Sequence, residues 1–298
     1  MENIFIANVC GLCAGCRRAL TEVTDQLNLG KDVTLFKEIV HNKNVNNMLV
    51  NKGAKLVDDI DKIEKDTLVI IRGHGEPPQT FEYFDKHNIK YKDCTCPNVK
   101  KIHGLVSNTD PNNDKVIVLG KYKKAMHPEV QGIVSWAKDE CILIETEEDL
   151  DKLNEIKNQK LFLVCQTTFN MSKATMLIDK ITNIAKTNCC KLTVNKTLCF
   201  AQQETTLSAT ELAKSVDLMI VVGGKNSSNT HELFNHVKVI TNAIFIEDIN
   251  SYKEELALNN LTISPTTKIG LTAGASTMKE ELVSLKELIQ KDLATYNA

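Results

Sequence analysis

Ten cysteines lie among the 298 residues, and Cys10, Cys13 and Cys16 follow one another at Cys-x-x-Cys-x-x-Cys spacing. Thiolates at that spacing are the first three ligands of a bacterial ferredoxin run, and Cys96-Pro97 has the cysteine–proline ending of the same run. That motif is compact, however, and here Cys94 and Cys96 come far along the chain. Zinc is the alternative, since cysteine and histidine are both present, yet no second Cys-x-x-Cys or His-x₃₋₅-His pair completes a finger or ribbon. Isolated, buried thiols are the third reading. A wider pattern is also present: Cys13, Cys96 and Cys199 divide the chain into near-thirds. Three thiolates from three segments would leave a four-iron cluster one ligand short. An iron left open is a Lewis acid and an electron donor at one point, suited to reducing a bound oxygen group.

Three histidines sit in loops that could hold an anion. His41 is followed by asparagine, His74 lies between two glycines, and His127 precedes Pro128. Imidazoles, hydroxyls and helix N-termini can together bind a phosphate without Mg²⁺. Ser227, Ser228, Asn229 and Ser276, each placed to open a helix, add donors. Gly224-Lys225-Asn226-Ser227 lacks the glycine spacing of a Walker loop. His87, His103, His231 and His236 fall in helical stretches and read as surface or satisfied histidines. Glu129, two residues past His127, would have a raised pKa in a dry pocket and could deliver protons. The competing reading is a first-turn acid favoured by the helix dipole.

These residues need elements to hold them. Apolar, β-branched runs read as strands at Ile4–Val9, Val33–Phe36, Leu68–Ile71, Val116–Leu119, Ile142–Ile144, Leu161–Cys165, Leu218–Val222, Ile244–Ile246 and Ile269–Leu271. Between them lies helical spacing: Ala19, Val23, Leu27; Val130, Val134; Met176, Ile178, Ile181, Ile184; and Leu282, Leu285, Leu288, Ile289. Such alternation predicts an α/β fold with mostly parallel sheets. Nearly every polar group singled out follows a strand, where open α/β sheets bind ligands. A net charge of −2 argues against a nucleic-acid partner. No apolar run has the length of a membrane helix, and the start of the chain has no basic leader, so no membrane partner and a cytoplasmic location are expected.

In order, Gly11-Leu-Cys13-Ala-Gly15, Glu38-Ile-Val-His41-Asn42, His74-Gly75, Thr95-Cys96-Pro97, His127-Pro-Glu129-Val, Gln166-Thr167-Thr168, Thr197-Leu-Cys199, Lys225-Asn-Ser-Ser-Asn229 and Thr272-Ala-Gly-Ala-Ser276 resemble the 4-hydroxy-3-methylbut-2-enyl diphosphate reductase family. The resemblance implies three α/β lobes with pseudo-threefold symmetry around a central [4Fe–4S] cluster. The lobes would be residues 14–96, 97–195 and 196–298, with the N-terminal strand, 1–13, at the centre. Cys13, Cys96 and Cys199 would hold the cluster. His41, His74, His127, Thr167, Ser227, Ser228, Asn229 and Ser276 would bind the substrate, and Glu129 with Thr167 would be catalytic. The implied reaction is a two-electron reductive dehydroxylation giving isopentenyl and dimethylallyl diphosphate, with electrons from a ferredoxin or flavodoxin. Cys16 stands where the family commonly has valine, and Met278 replaces a frequent proline. Ala201-Gln-Gln-Glu-Thr departs from the usual pattern after the third cysteine. Two rival readings remain: a dehydroxylase of the same fold for another alcohol, and a non-catalytic iron–sulfur or zinc protein. An electron carrier would cap every iron through Cys10, Cys13, Cys16 and Cys96 and leave Cys199 dispensable.

Overall fold

The computed structural model describes residues 3–295, along which strand and helix alternate. The strands are β1 (Ile4–Ile6), β2 (Val33–Phe36), β3 (Lys55–Val57), β4 (Leu68–Ile71), β5 (Tyr91–Asp93), β6 (Asp114–Leu119), β7 (Ile142–Ile144), β8 (Lys160–Cys165), β9 (Lys191–Val194), β10 (Leu218–Val222), β11 (Asn242–Ile246) and β12 (Ile269–Ala273). The helices are α1 (Ala14–Asn28), α2 (Lys43–Asn51), α3 (Pro78–Lys86), α4 (Pro97–Ser107), α5 (Pro128–Trp136), α6 (Met171–Thr187), α7 (Phe200–Ala213), α8 (Ser228–Val237), α9 (Tyr252–Leu258) and α10 (Lys279–Thr295). No helix among the described residues is long and apolar enough to cross a membrane. Two compact units result: Met1–Asp58 together with Phe200–Ala298, and Asp59–Cys199.

In the first unit, β1-β12-β10-β11 form a parallel sheet, and β2 pairs in parallel with β3. β10 and β12 are buried along their whole length, which is why Leu218–Val222 reads as an unbroken apolar run. Alternate side chains serve the two faces. Ile220 and Leu271 pack with Leu282, Leu285 and Ile289 of α10. Met219 and Val221 pack with Ala209 of α7 and Leu233 of α8. Each such large side chain contributes about 1.5–3 kcal/mol on burial.

The second unit repeats this plan. β7-β6-β8-β9 form a parallel sheet, and β4 pairs in parallel with β5. Ile117, Leu163 and Cys165 meet α6 through Leu177 and Ile181. On the other face Val116, Val118 and Val164 meet Ile102 of α4 and Ile133 of α5. All nine expected strands are present, with ends adjusted: β1 stops at Ile6, and β12 runs on to Ala273. β3, β5 and β9 are additional. The inner face of α6 is Ala174, Leu177, Ile181 and Ala185, whereas Met176 faces solvent.

Candidate active-site residues

Parallel pairing brings the carboxyl ends of β1, β10 and β12 to the same sheet edge. The loop after β1 follows the loop after β12: Gly11 donates to the Ala273 carbonyl at 3.1 Å, and Cys13 to that of Ala275 at 3.3 Å. Gly11 has φ +77°, and a Cβ there would meet the Thr277 carbonyl at 2.9 Å, so the close approach demands glycine. Cys13 then caps α1, its sulfur accepting from the Cys16 N–H at 3.5 Å. Hydrogen bonding from the Cys16 side chain, outweighing burial and helped by the Cys16 and Gly15 backbone, lowers the Cys13 pKa to about 6.

The anion-binding candidates of this unit gather nearby. Ser276 donates through Oγ to the His41 carbonyl at 3.3 Å. A Cβ on Gly224 would stand 2.1 Å from the same carbonyl oxygen, so the loop after β10 also presses on His41. Asn42 caps α2, accepting from Asn44 and Val45, and its Nδ2 reaches Thr277 Oγ1 at 3.4 Å. Ser227 caps α8, accepting from the Thr230 N–H at 3.3 Å. Ser228 and Asn229 are therefore the first two residues of that helix, where backbone N–H groups and the dipole favour an anion. The first unit thus brings together Cys13, His41, Ser227, Ser228, Asn229 and Ser276.

In the second unit, the loop after β6 ends at His127, which caps α5. Its Nδ1 accepts from the Glu129 N–H at 3.2 Å, which puts the neutral ring's proton on Nε2. The His74 ring lies edge-on to it, centroids 5.7 Å apart. The His74 loop is closed underneath by a buried ion pair, Arg72 Nε to Glu76 Oε1 at 3.0 Å, and Trp136 Nε1 donates to the Glu76 carbonyl. Gly75, at φ +74°, lets this loop press against His103 and Thr95.

Glu129 is a carboxylate whose pKa the fold raises rather than lowers. Only 2% of it is exposed. Oε1 accepts from the Thr167 N–H at 2.6 Å and Oε2 from the Thr167 hydroxyl at 2.8 Å. Burial outweighs both bonds and raises its pKa to about 7. It is a first-turn acid of α5, but a dry one. Thr167 also accepts the Cys199 N–H on its carbonyl at 2.9 Å, so one residue after β8 ties the carboxylate to the cysteine. Thr197 clips the same segment to β8 through the Cys165 backbone, at 2.8 and 2.6 Å. Asn98 Nδ2 donates to Cys199 Sγ at 3.6 Å, joining it to the first turn of α4, which Cys96 precedes. The second unit thus assembles His74, Cys96, His127, Glu129, Thr167 and Cys199.

Several supports were not singled out from the sequence: Arg72, Glu76 and Asn98. An asparagine in the first turn of a helix that opens with Cys-Pro is a signal that could have marked Asn98. His103 departs from the expectation of a surface or satisfied histidine. It is buried, stacks on Trp136, and its Nε2 has no hydrogen-bond partner. Burial lowers its pKa to about 4, so it is a neutral packing ring. His87 and His231 instead bond to the carbonyls of Tyr83 and Lys225.

Residues 4–290 match the family model described as LytB protein. A protein from Clostridioides difficile (strain 630), 4-hydroxy-3-methylbut-2-enyl diphosphate reductase, is 36% identical over 96% of this chain and 99% of its own length. One of the same name from Helicobacter pylori (strain Shi470) is 33% identical over 96% and 98%. Among solved structures, the E-1-hydroxy-2-methyl-but-2-enyl-4-diphosphate reductase from Plasmodium falciparum is similar with a TM-score of 0.83 and 28% identity, covering 97% of this chain and 88% of that one. The structure of (E)-4-hydroxy-3-methyl-but-2-enyl diphosphate reductase, described as the terminal enzyme of the non-mevalonate pathway, gives 0.71 at 30% identity, covering 98% and 100%.

Proposed function

Because the chain belongs to the LytB protein family, we propose that it is a 4-hydroxy-3-methylbut-2-enyl diphosphate reductase. It would remove the substrate hydroxyl as water with two electrons and two protons, giving isopentenyl and dimethylallyl diphosphate. The observation that carries this reading is Glu129, a buried acid with a pKa near 7, bonded through Thr167 to the segment that carries Cys199.

Cys13, Cys96 and Cys199 would hold a [4Fe–4S] cluster, with the three lobes at residues 14–96, 97–195 and 196–298 around it and strand 1–13 at the centre. The donor set fits such a group: each of the three residues immediately precedes a helix, where N–H groups favour thiolate. When bound, the cluster supplies electrons and Lewis acidity toward the substrate hydroxyl. The chain's own part is proton supply and positioning. Thr167 Oγ1 accepts from protonated Glu129, so it can pass that proton outward, and it donates to the carboxylate left behind. His127 Nε2, His74, His41, Ser276, Ser227 and the α8 terminus with Ser228 and Asn229 would hold the diphosphate, fixing the reacting carbon in place. The electron donor would be a ferredoxin or flavodoxin and the location cytoplasmic, where thiols stay reduced.

Anaerobic assay with the diphosphate and a strong reductant tests the proposal. Turnover, with a substrate-dependent change at one iron in the spectrum, is expected. A fully loaded cluster without turnover would transfer the reading to a dehydroxylase for another alcohol.

A further inference from the structure

We propose that Cys16 is a resolving thiol for Cys13, and that the two form a reversible disulfide whenever Cys13 is not ligating a cluster. This rests on the reading of Cys13 as a ligand. Cys13 is the N-cap of α1 and Cys16 the third residue of the helix. That is the spacing of a capping box, which sets the two residues face to face across the first turn, and here the Cys16 side chain also hydrogen-bonds to Cys13. The Cys16 N–H already points at Cys13 Sγ, 3.5 Å away. Both residues are half-buried, and thus open to small thiols and disulfides. Cys10 is differently placed: its thiol donates to the Ala7 carbonyl at 3.2 Å, and the residue packs against the β10–β12 core. The Cys-x-x-Cys-x-x-Cys run therefore contains one reactive pair and one packing residue.

With glutathione disulfide as oxidant, one of the paired thiolates attacks a glutathione sulfur, forming a mixed disulfide and expelling one glutathione thiolate. The second cysteine sulfur then attacks the first, forming the Cys13–Cys16 bond and expelling the other glutathione. The two cysteines lose two electrons and two protons, and glutathione disulfide gains them to become two glutathione thiols. A dithiol reverses the exchange. The consequence is protective, since a sulfur held as a disulfide is withdrawn from the sulfenic-to-sulfonic ladder.

The test uses full-length protein freed of iron, treated anaerobically with glutathione disulfide, then read by intact mass and peptide mapping. The expected product is lighter by two hydrogen atoms, carries no glutathione on Cys13, and yields a linked Cys13–Cys16 peptide. It refuses iron and sulfide until a dithiol is added. Cys16→Val and Cys16→Ser, two variants of different packing, should both retain glutathione on Cys13. Wild-type protein that also retains glutathione on Cys13 overturns the proposal, as does an oxidised pair that still takes up a full cluster. A separate Cys13→Ser variant checks the premise: if it loads iron normally, the ligand assignment fails while the mass data still judge the thiol pair.

Discussion

Replacing Glu129 by glutamine separates the electrical role of this residue from its shape. Glutamine can still accept the Thr167 N–H, and its amide can donate to the Thr167 hydroxyl, which turns to accept. What it lacks is an exchangeable acidic proton. The Glu129 pKa rises from 4.5 to about 7 in the fold. At 1.36 kcal/mol per unit, the folded state disfavours the ionised carboxylate by about 3 kcal/mol. The raised value means that the native protein binds the proton across pH 4.5–7, where the unfolded chain has released it. Stability attached to this group is complete below pH 4.5, declines through that window, and levels off above pH 7. Glu129→Gln, permanently neutral, should gain about 3 kcal/mol on wild type between acid and mildly alkaline solution. Thermal scans of both proteins near pH 5 and pH 8 measure that difference. Turnover should fall by roughly 10²–10⁴, the usual contribution of a positioned acid, while iron content and substrate affinity persist. A stability difference that does not change with pH, or unchanged turnover, would refute the reasoning.

Cys199→Ser should lose the cluster by iron analysis and visible absorbance, whereas Cys10→Ser should keep it, because Cys10 only bonds to the Ala7 carbonyl and packs. Gly224→Ala should destabilise the first unit by about 1–3 kcal/mol in denaturant melts and raise KM, since its Cβ would stand 2.1 Å from the His41 carbonyl. His127→Asn and His127→Ala should both raise KM, but only the alanine variant should lose the ~1 kcal/mol of an N-cap, because asparagine caps as histidine does here. Equal stability losses in the two would remove the capping role.

Much of this arrangement was legible from residue type alone. Buried parallel strands such as Leu218–Val222 and Leu68–Ile71 are uniformly apolar, so their limits show directly. β3, β5 and β9 escaped because each pairs with a single neighbour and carries an exposed lysine, leaving at most two apolar residues in each, too few to stand out. Among the site residues, Ser227 was visible as a helix opener and His41, His74 and His127 as loop residues, since turn and cap chemistry is local. Glu129 looked no different from any acid in a first helical turn. Both of its oxygens are bonded by Thr167, thirty-eight positions away, and such a contact leaves no trace in local spacing. His103 misled for the same reason: a histidine in a helix gives no hint that Gly75 and Trp136 enclose it.

β1 pairs with β12, and Cys13 donates to the carbonyl of Ala275. Ile6 and its partner Leu271 lie about 265 residues apart along the chain. At about 5–20 residues per second, a ribosome needs roughly 10–50 s to travel between them. Until then the first sheet lacks one of its two interior strands, and the cap that orients Cys13 has nothing to lean on. The loop that carries Cys13 must accordingly wait for β12 to be made before its backbone partner exists. A circular permutant that opens the chain between β9 and α7 would make β12 before β1 and shorten the delay. Its nascent chains should acquire ordered thiols earlier, as timed by alkylation of stalled intermediates.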